Sequence, residues 1–246
     1  MATSDDVGDL LRCFYGTYGM PEEGPPADLN VSTLAGGVAV SKSEMDLLRE
    51  AVSDGALRRQ FQDCRAILED LATRLTSGEL LQELHGIPLP SDEAFQQLSS
   101  GVFWFALACS LDVRKEGLPA TPLDGTISLP LPVKVQMAVH GSLVLRLYIA
   151  LVYMREGVLN DLITESARAG GPCSGRVRKL LNSDYVRRIR NALSHGSFSA
   201  SIAGIVFRDD HGAVVGTPGF LSWLGTWLML IQLQALAATS KKPRLT

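Results

Sequence analysis

Leu57, Phe61, Cys64, Leu68, Leu71 and Leu75 recur at steps of three and four. Only a helix, at about 3.6 residues per turn, gathers such a series onto one face, so residues 57–76 predict an amphipathic helix with a core to cover. The same constraint repeats along the chain. Residues 79–84 predict a further turn or two, stopping where Pro88 follows His85-Gly86. Ser91, with Asp92 and Glu93 behind it, opens a helix that runs to about Val113. Its stretch 102–111 is apolar nearly all round, which predicts a place at the centre of a bundle. Residues 133–169 form the longest helical candidate, with Gly157 as its break. At about 1.5 Å per residue that candidate would exceed about 50 Å, so two helices in line fit it as well as one.

Extended patterning is scarce. Segments 202–206 and 213–215 flank the turn Asp210-His211-Gly212 and predict a small hairpin. Thr126-Ile127-Ser128-Leu129 is one edge-strand candidate inside a proline-rich loop. An apolar helix is then expected over 218–238, with Trp223 and Trp227 four residues apart. The predicted fold class is therefore all-α: a helical bundle with a small β-hairpin before the C-terminal helix. Residues 1–42 predict a short helix from Ser4 and a Pro/Gly-rich linker, together an arm outside the core. Residues 43–240 hold the helical domain and 241–246 a basic tail.

Composition narrows the function. A net charge of −3 excludes a protein that coats nucleic acid by bulk electrostatics, so any RNA contact must come from a local patch. Such a patch exists: Arg176, Arg178, Lys179, Arg187, Arg188 and Arg190 face only Asp184 within 176–190, six cations against one carboxylate, or +5. A solvated helix face balanced by acidic neighbours is the plainer account of the same residues. Cys13, Cys64, Cys109 and Cys173 are scattered, with no CxxC pair and no histidine at ligand spacing. That pattern predicts reduced thiols in a cytoplasmic protein, with no metal or other cofactor. The start of the chain carries Asp5 and Asp6 and no basic-then-apolar leader, which also points to the cytoplasm.

Residues 184–196 read DYVRRIRNALSHG. Wound as a helix, Val186, Ile189 and Leu193 fall on a core-facing stripe, with Arg190 only about 70° from its centre. Arg187, Asn191 and Ser194 take the adjoining flank, and Gly196 is placed to end the helix, leaving His195 in the last turn. A guanidinium, an amide and an imidazole are thus gathered near one helix end.

Arg190-Asn191-Ala192-Leu193-Ser194-His195 resembles the arginine-to-histidine signature of the HEPN superfamily, including the polar residue after the arginine. The flanks are similar too: a helix before, then a glycine, a hairpin and an apolar helix. The likeness covers roughly the second half of the chain. It implies a helical bundle, a homodimer, and a metal-independent endoribonuclease that is toxin- or defence-related, with a cognate antitoxin among its partners. By this resemblance His195 would be the general acid/base and Arg190 the phosphate clamp, with Asn191 orienting ring or substrate. Arg176, Arg178, Lys179, Arg187 and Arg188 would be the RNA-binding set. Many toxin-type relatives carry a tyrosine two residues after the histidine for inactivation by nucleotide transfer. Ser197 stands there, so that regulation is not carried over.

The chemistry suits the residue types. Imidazole moves protons near neutrality, and guanidinium offers a permanent charge shaped for phosphate oxygens. One obstacle is geometric: five positions on an ideal helix separate Arg190 from His195 by about 140°. Either the last turn unwinds, or a second subunit contributes. All four histidines precede a glycine, so His-Gly alone identifies nothing, and His85, His140 and His211 read as structural or turn residues. Asp184 reads as a helix salt-bridge partner, Glu79 and Glu83 as a solvated face, and the two tryptophans as core. Two rival readings stand beside the nuclease. One is a non-catalytic HEPN-like module binding RNA, a nucleotide or a protein. The other is a C-terminal membrane anchor, because residues 212–240 carry no charge and 218–238 are long enough to cross a bilayer; Ser222, Thr226, Gln232 and Gln234 argue against it.

Overall fold

The computed structural model describes residues 4–20, 42–89, 91–113, 131–155, 157–200 and 204–240. Their order is α1 (Ser4–Tyr18), α2 (Lys42–Ser53), α3 (Gly55–Thr76), α4 (Glu79–Leu84), α5 (Asp92–Val113) and α6 (Leu131–Tyr148). α6 runs into a π turn (Ile149–Tyr153), followed by α7 (Val158–Arg168), α8 (Pro172–Leu181) and α9 (Asp184–His195). Strands β1 (Phe198–Ala200), β2 (Ile205–Asp209) and β3 (Gly212–Gly216) precede the closing helix α10 (Pro218–Ser240). The architecture is the helical bundle with a small antiparallel sheet before the last helix that the patterning predicts.

Local chemistry sets the boundaries. Asp54 stops α2 and starts α3, its carboxylate accepting the N–H groups of Ala56 and Leu57. Ser91 caps the start of α5, its hydroxyl oxygen accepting the N–H of Ala94 at 3.3 Å. The long candidate over 133–169 breaks as expected at Gly157, the residue before α7. The edge-strand candidate at 126–129 and the basic tail lie outside the described residues.

The core is built around aromatic rings. Phe61 of α3 lies 5.0 Å from Tyr18, 5.6 Å from Tyr185 and 4.6 Å from Phe220, centroid to centroid. Those contacts join α1, α3, α9 and α10. The expectation that the first forty residues form an arm is therefore corrected for α1, whose Leu11, Phe14, Tyr15 and Tyr18 are buried. Their spacing of three, one and three is a core-facing stripe on a helix. A buried hydrogen bond from Thr217 Oγ1 to Tyr18 O, 3.2 Å, ties the end of α1 to the start of α10.

α5 is not wholly central to the bundle as its apolar stretch predicts. It buries Leu98, Phe105 and Ala108, yet Phe103, Trp104 and Leu107 are exposed. On α6, which packs beside it, Leu145 and Tyr148 are exposed as well. α10 is long and apolar enough to cross a membrane by length and composition. In this fold it is the bundle's spine, with Phe220, Leu221, Leu224, Leu228, Ile231 and Ala235 buried against α4, α5 and α6. Its Gln234 is not an apolar-run defect: the side chain donates to Leu75 O (2.6 Å) and accepts from Leu81 N (3.1 Å), bridging the α3–α4 corner.

Candidate nucleic-acid interface and cleavage site

α9 is amphipathic, with Tyr185, Val186, Ile189, Ala192 and Leu193 buried. Tyr185 donates from its hydroxyl to Val215 O at 2.9 Å, pinning the helix to β3. At the other end, Gly196 adopts φ 66°, ψ 20°, a left-handed conformation that costs a glycine little. Its N–H bonds Leu193 O, and Ser197 N–H bonds Ala192 O at 2.8 Å. This pair of bonds is the Schellman closure, and it keeps the last turn fully wound. Of the two ways to bring Arg190 toward His195, unwinding is thereby removed.

After the closure the chain goes out along β1 and returns along β2, paired Phe198 to Phe207, Ser199 to Val206 and Ala200 to Ile205. The pairing extends past the strand, where Arg208 N–H donates to Ser197 O at 2.9 Å. β2 pairs with β3 through Asp209 and Gly212, leaving Asp210-His211 as the two-residue turn. Asp209 Oδ1 accepts the backbone N–H of His211 at 2.9 Å and stiffens that turn.

The helix tip and the hairpin turn enclose a cleft of ≈ 240 Å³ lined by Asn191, His195, Ser197, Arg208, Asp209, Asp210 and His211. His195 and His211 are both exposed there, and Asn191 is half-buried. Arg190 stands just off this lining. Its Nη2 donates to Asn191 Oδ1 at 3.4 Å, so the guanidinium reaches the cleft through the amide. The structure thus brings Asn191 and His195 together and couples Arg190 to them at one remove.

The basic set is divided. Arg176 pairs with Asp70 (3.0 Å) and Arg187 with Asp184 (2.8 Å), as the solvated-face account expects. Arg176, Arg178 and Lys179 line a larger cleft of ≈ 800 Å³ with Gln60, Asp63, Ser183 and Asp184. Arg188 turns to the hairpin: its Nη1 lies 3.2 Å from where a Cβ on Gly212 would sit. The single +5 patch is therefore two local groups. The larger cleft touches the start of α9 and the smaller one its end. Twelve residues at about 1.5 Å per residue set them about 18 Å apart.

Five of the seven lining residues escape a reading of the sequence alone, Arg208 and His211 among them. The signal is the strand register. The Arg208 N–H bond to Ser197 O brings the hairpin turn back beside the helix tip, where Arg208 and His211 line the cleft with His195. β1 is only three residues long, too short to show an alternating pattern, so the register stays hidden.

Glu83 departs from the solvated face expected for it. Its two carboxylate oxygens accept the N–H groups of Cys173 (2.8 Å) and Ser174 (2.7 Å) at the start of α8. Anionic oxygens are favoured there by the exposed N–H groups of a helix N-terminus. His140 is buried on α6, and loss of solvation lowers its pKa. Among the described residues no group of three or more His, Cys, Asp or Glu is placed to hold a metal ion. No family model, curated protein or solved structure matches the chain.

Proposed function

We propose that this protein is a metal-independent endoribonuclease of the HEPN kind. The observation that supports it most is local. His195 is exposed at the tip of α9, in the same cleft as Asn191, whose amide oxygen accepts from Arg190. An imidazole, an amide and a guanidinium in series suit one phosphodiester: proton transfer, orientation and charge. The cleft is smaller than the about 300–1,000 Å³ of sites that enclose whole ligands, as suits a site for one backbone linkage. Bases would lie outside it, along α9 toward Arg178 and Lys179 in the larger cleft.

Cleavage then proceeds by attack of the ribose 2′ oxygen on the adjacent phosphorus, with loss of the 5′ oxygen. The products are a cyclic phosphate and a 5′-hydroxyl. His195 transfers a proton, while Arg190 acts on the phosphorane charge through and alongside Asn191. A homodimer belongs to the same reading, since two copies would double the arginines around a shared groove.

The test is cleavage of end-labelled RNA in EDTA with analysis of the ends. The wild type is expected to leave cyclic phosphates, and His195→Ala to lose about 10²–10⁴ in rate. Arg190→Ala is expected to fall comparably, with Arg190→Lys failing to restore the loss because ammonium lacks the planar fork. RNA retained but never cut would overturn catalysis in favour of a binding module. Variants as fast as the wild type would overturn the residue assignment.

A further inference from the structure

The geometry points to His211 as the second proton-transfer group of this site, supplied by the same chain as His195. The inference rests on the endoribonuclease reading and deepens it. Transesterification needs two proton movements, one off the 2′-OH and one onto the departing 5′ oxygen. A lone imidazole must do both in turn or borrow water. Here a second imidazole opens into the same cleft.

A histidine at a hairpin tip is by itself unremarkable, and its placement is what distinguishes this one. Arg208 N–H to Ser197 O fixes β2 to the helix tip, and Asp209 Oδ1 to His211 N fixes the turn. Gly212 has φ 122°, which lets the turn reverse beside Arg188. The charges facing the ring from the turn and from β2 are Asp209, Asp210 and Arg208, with His195 across the cleft. Arg188 adds a cation from α9. The lining itself holds one guanidinium, Arg208, against the carboxylates of Asp209 and Asp210, and Arg188 stands beside the turn at Gly212.

The step balances within this pair. One neutral imidazole takes the 2′-OH proton as the O2′–P bond forms. The other, protonated, gives its proton to O5′ as the P–O5′ bond breaks. The pair ends with the same number of protons, and no further reactant is consumed.

The experiment is the rate of RNA cleavage in EDTA between about pH 5 and pH 9 for wild type, His195→Ala and His211→Ala. We expect a bell for the wild type. Each variant should lose one limb, and the two should lose opposite limbs, with rates down about a hundredfold or more. Free imidazole should partly restore His211→Ala. Circular dichroism should show the variants folded, because both rings are exposed. His211→Ala with wild-type rate and an intact bell would overturn the inference and leave the endoribonuclease reading standing. A wild type that cuts no RNA would overturn both.

Discussion

Glu83 shows how much one side chain can set. Its carboxylate occupies the N-terminus of α8 from a different helix, with both oxygens accepting main-chain N–H groups. Substitution by Gln keeps the shape but removes the charge and leaves one buried N–H facing another donor. We expect Glu83→Gln to lower unfolding free energy by about 1–3 kcal/mol, read as a urea midpoint shift at constant slope. An unchanged midpoint would show that the bonds are dispensable. Side chains differ in how openly the sequence announces their place. Asn191 and His195 are legible because a helix period and a glycine stop place them. Glu83 is not, because its partners lie 90 and 91 residues away and no local spacing announces them.

At the scale of elements, α5 is the instructive case. A helix apolar on every side carries no periodic signal, so its inward face cannot be read from the sequence. Its existence and start at Ser91 are legible; its orientation is not. The packing decides that Phe105 is 1% exposed and Phe103 61% exposed. Phe105→Ala should therefore cost about 3–5 kcal/mol and Phe103→Ala at most about 0.5 kcal/mol, compared by chemical denaturation of the two variants. Equal losses would mean that the outer face is covered. α1 fails in the opposite sense. Its stripe Leu11, Phe14, Tyr15 and Tyr18 is plainly periodic, but the proline-rich stretch after it suggests an appendage. The aromatic contact with Phe61 makes it core instead.

Across the whole molecule, several acidic protons are held to a higher pH by the folded chain than by the unfolded one. Burial pushes the thiols of Cys64 and Cys173 from 9.0 up to about 12. Burial, helped by Asp54, raises the Tyr18 phenol from 10.0 to about 12, and burial raises Tyr185 well above its ordinary value. The unfolded chain releases these protons at lower pH than the folded one. Folding stability is accordingly unaffected by them below about pH 9 and is lost as pH rises from there toward about 12. Urea midpoints taken across that window should fall, and native protein should react with thiol reagents at exposed Cys13 before Cys64 or Cys173. A flat alkaline profile would contradict the burial. The bundle class is legible from helical periods and the scarcity of alternation. The way four distant helices meet on Phe61 is not, since ring-to-ring contacts follow from packing and not from spacing.

The main-chain bond between Arg208 and Ser197 has an evolutionary corollary. Ring identity and ring spacing are controlled by separate parts of the sequence. One inserted residue in β2 would advance the hairpin by about 3.3 Å and send alternate side chains to the opposite face, parting the two imidazoles with every histidine still in place. Divergent copies should thus hold the length of the segment joining Gly196 to His211 as closely as they hold the two histidines themselves.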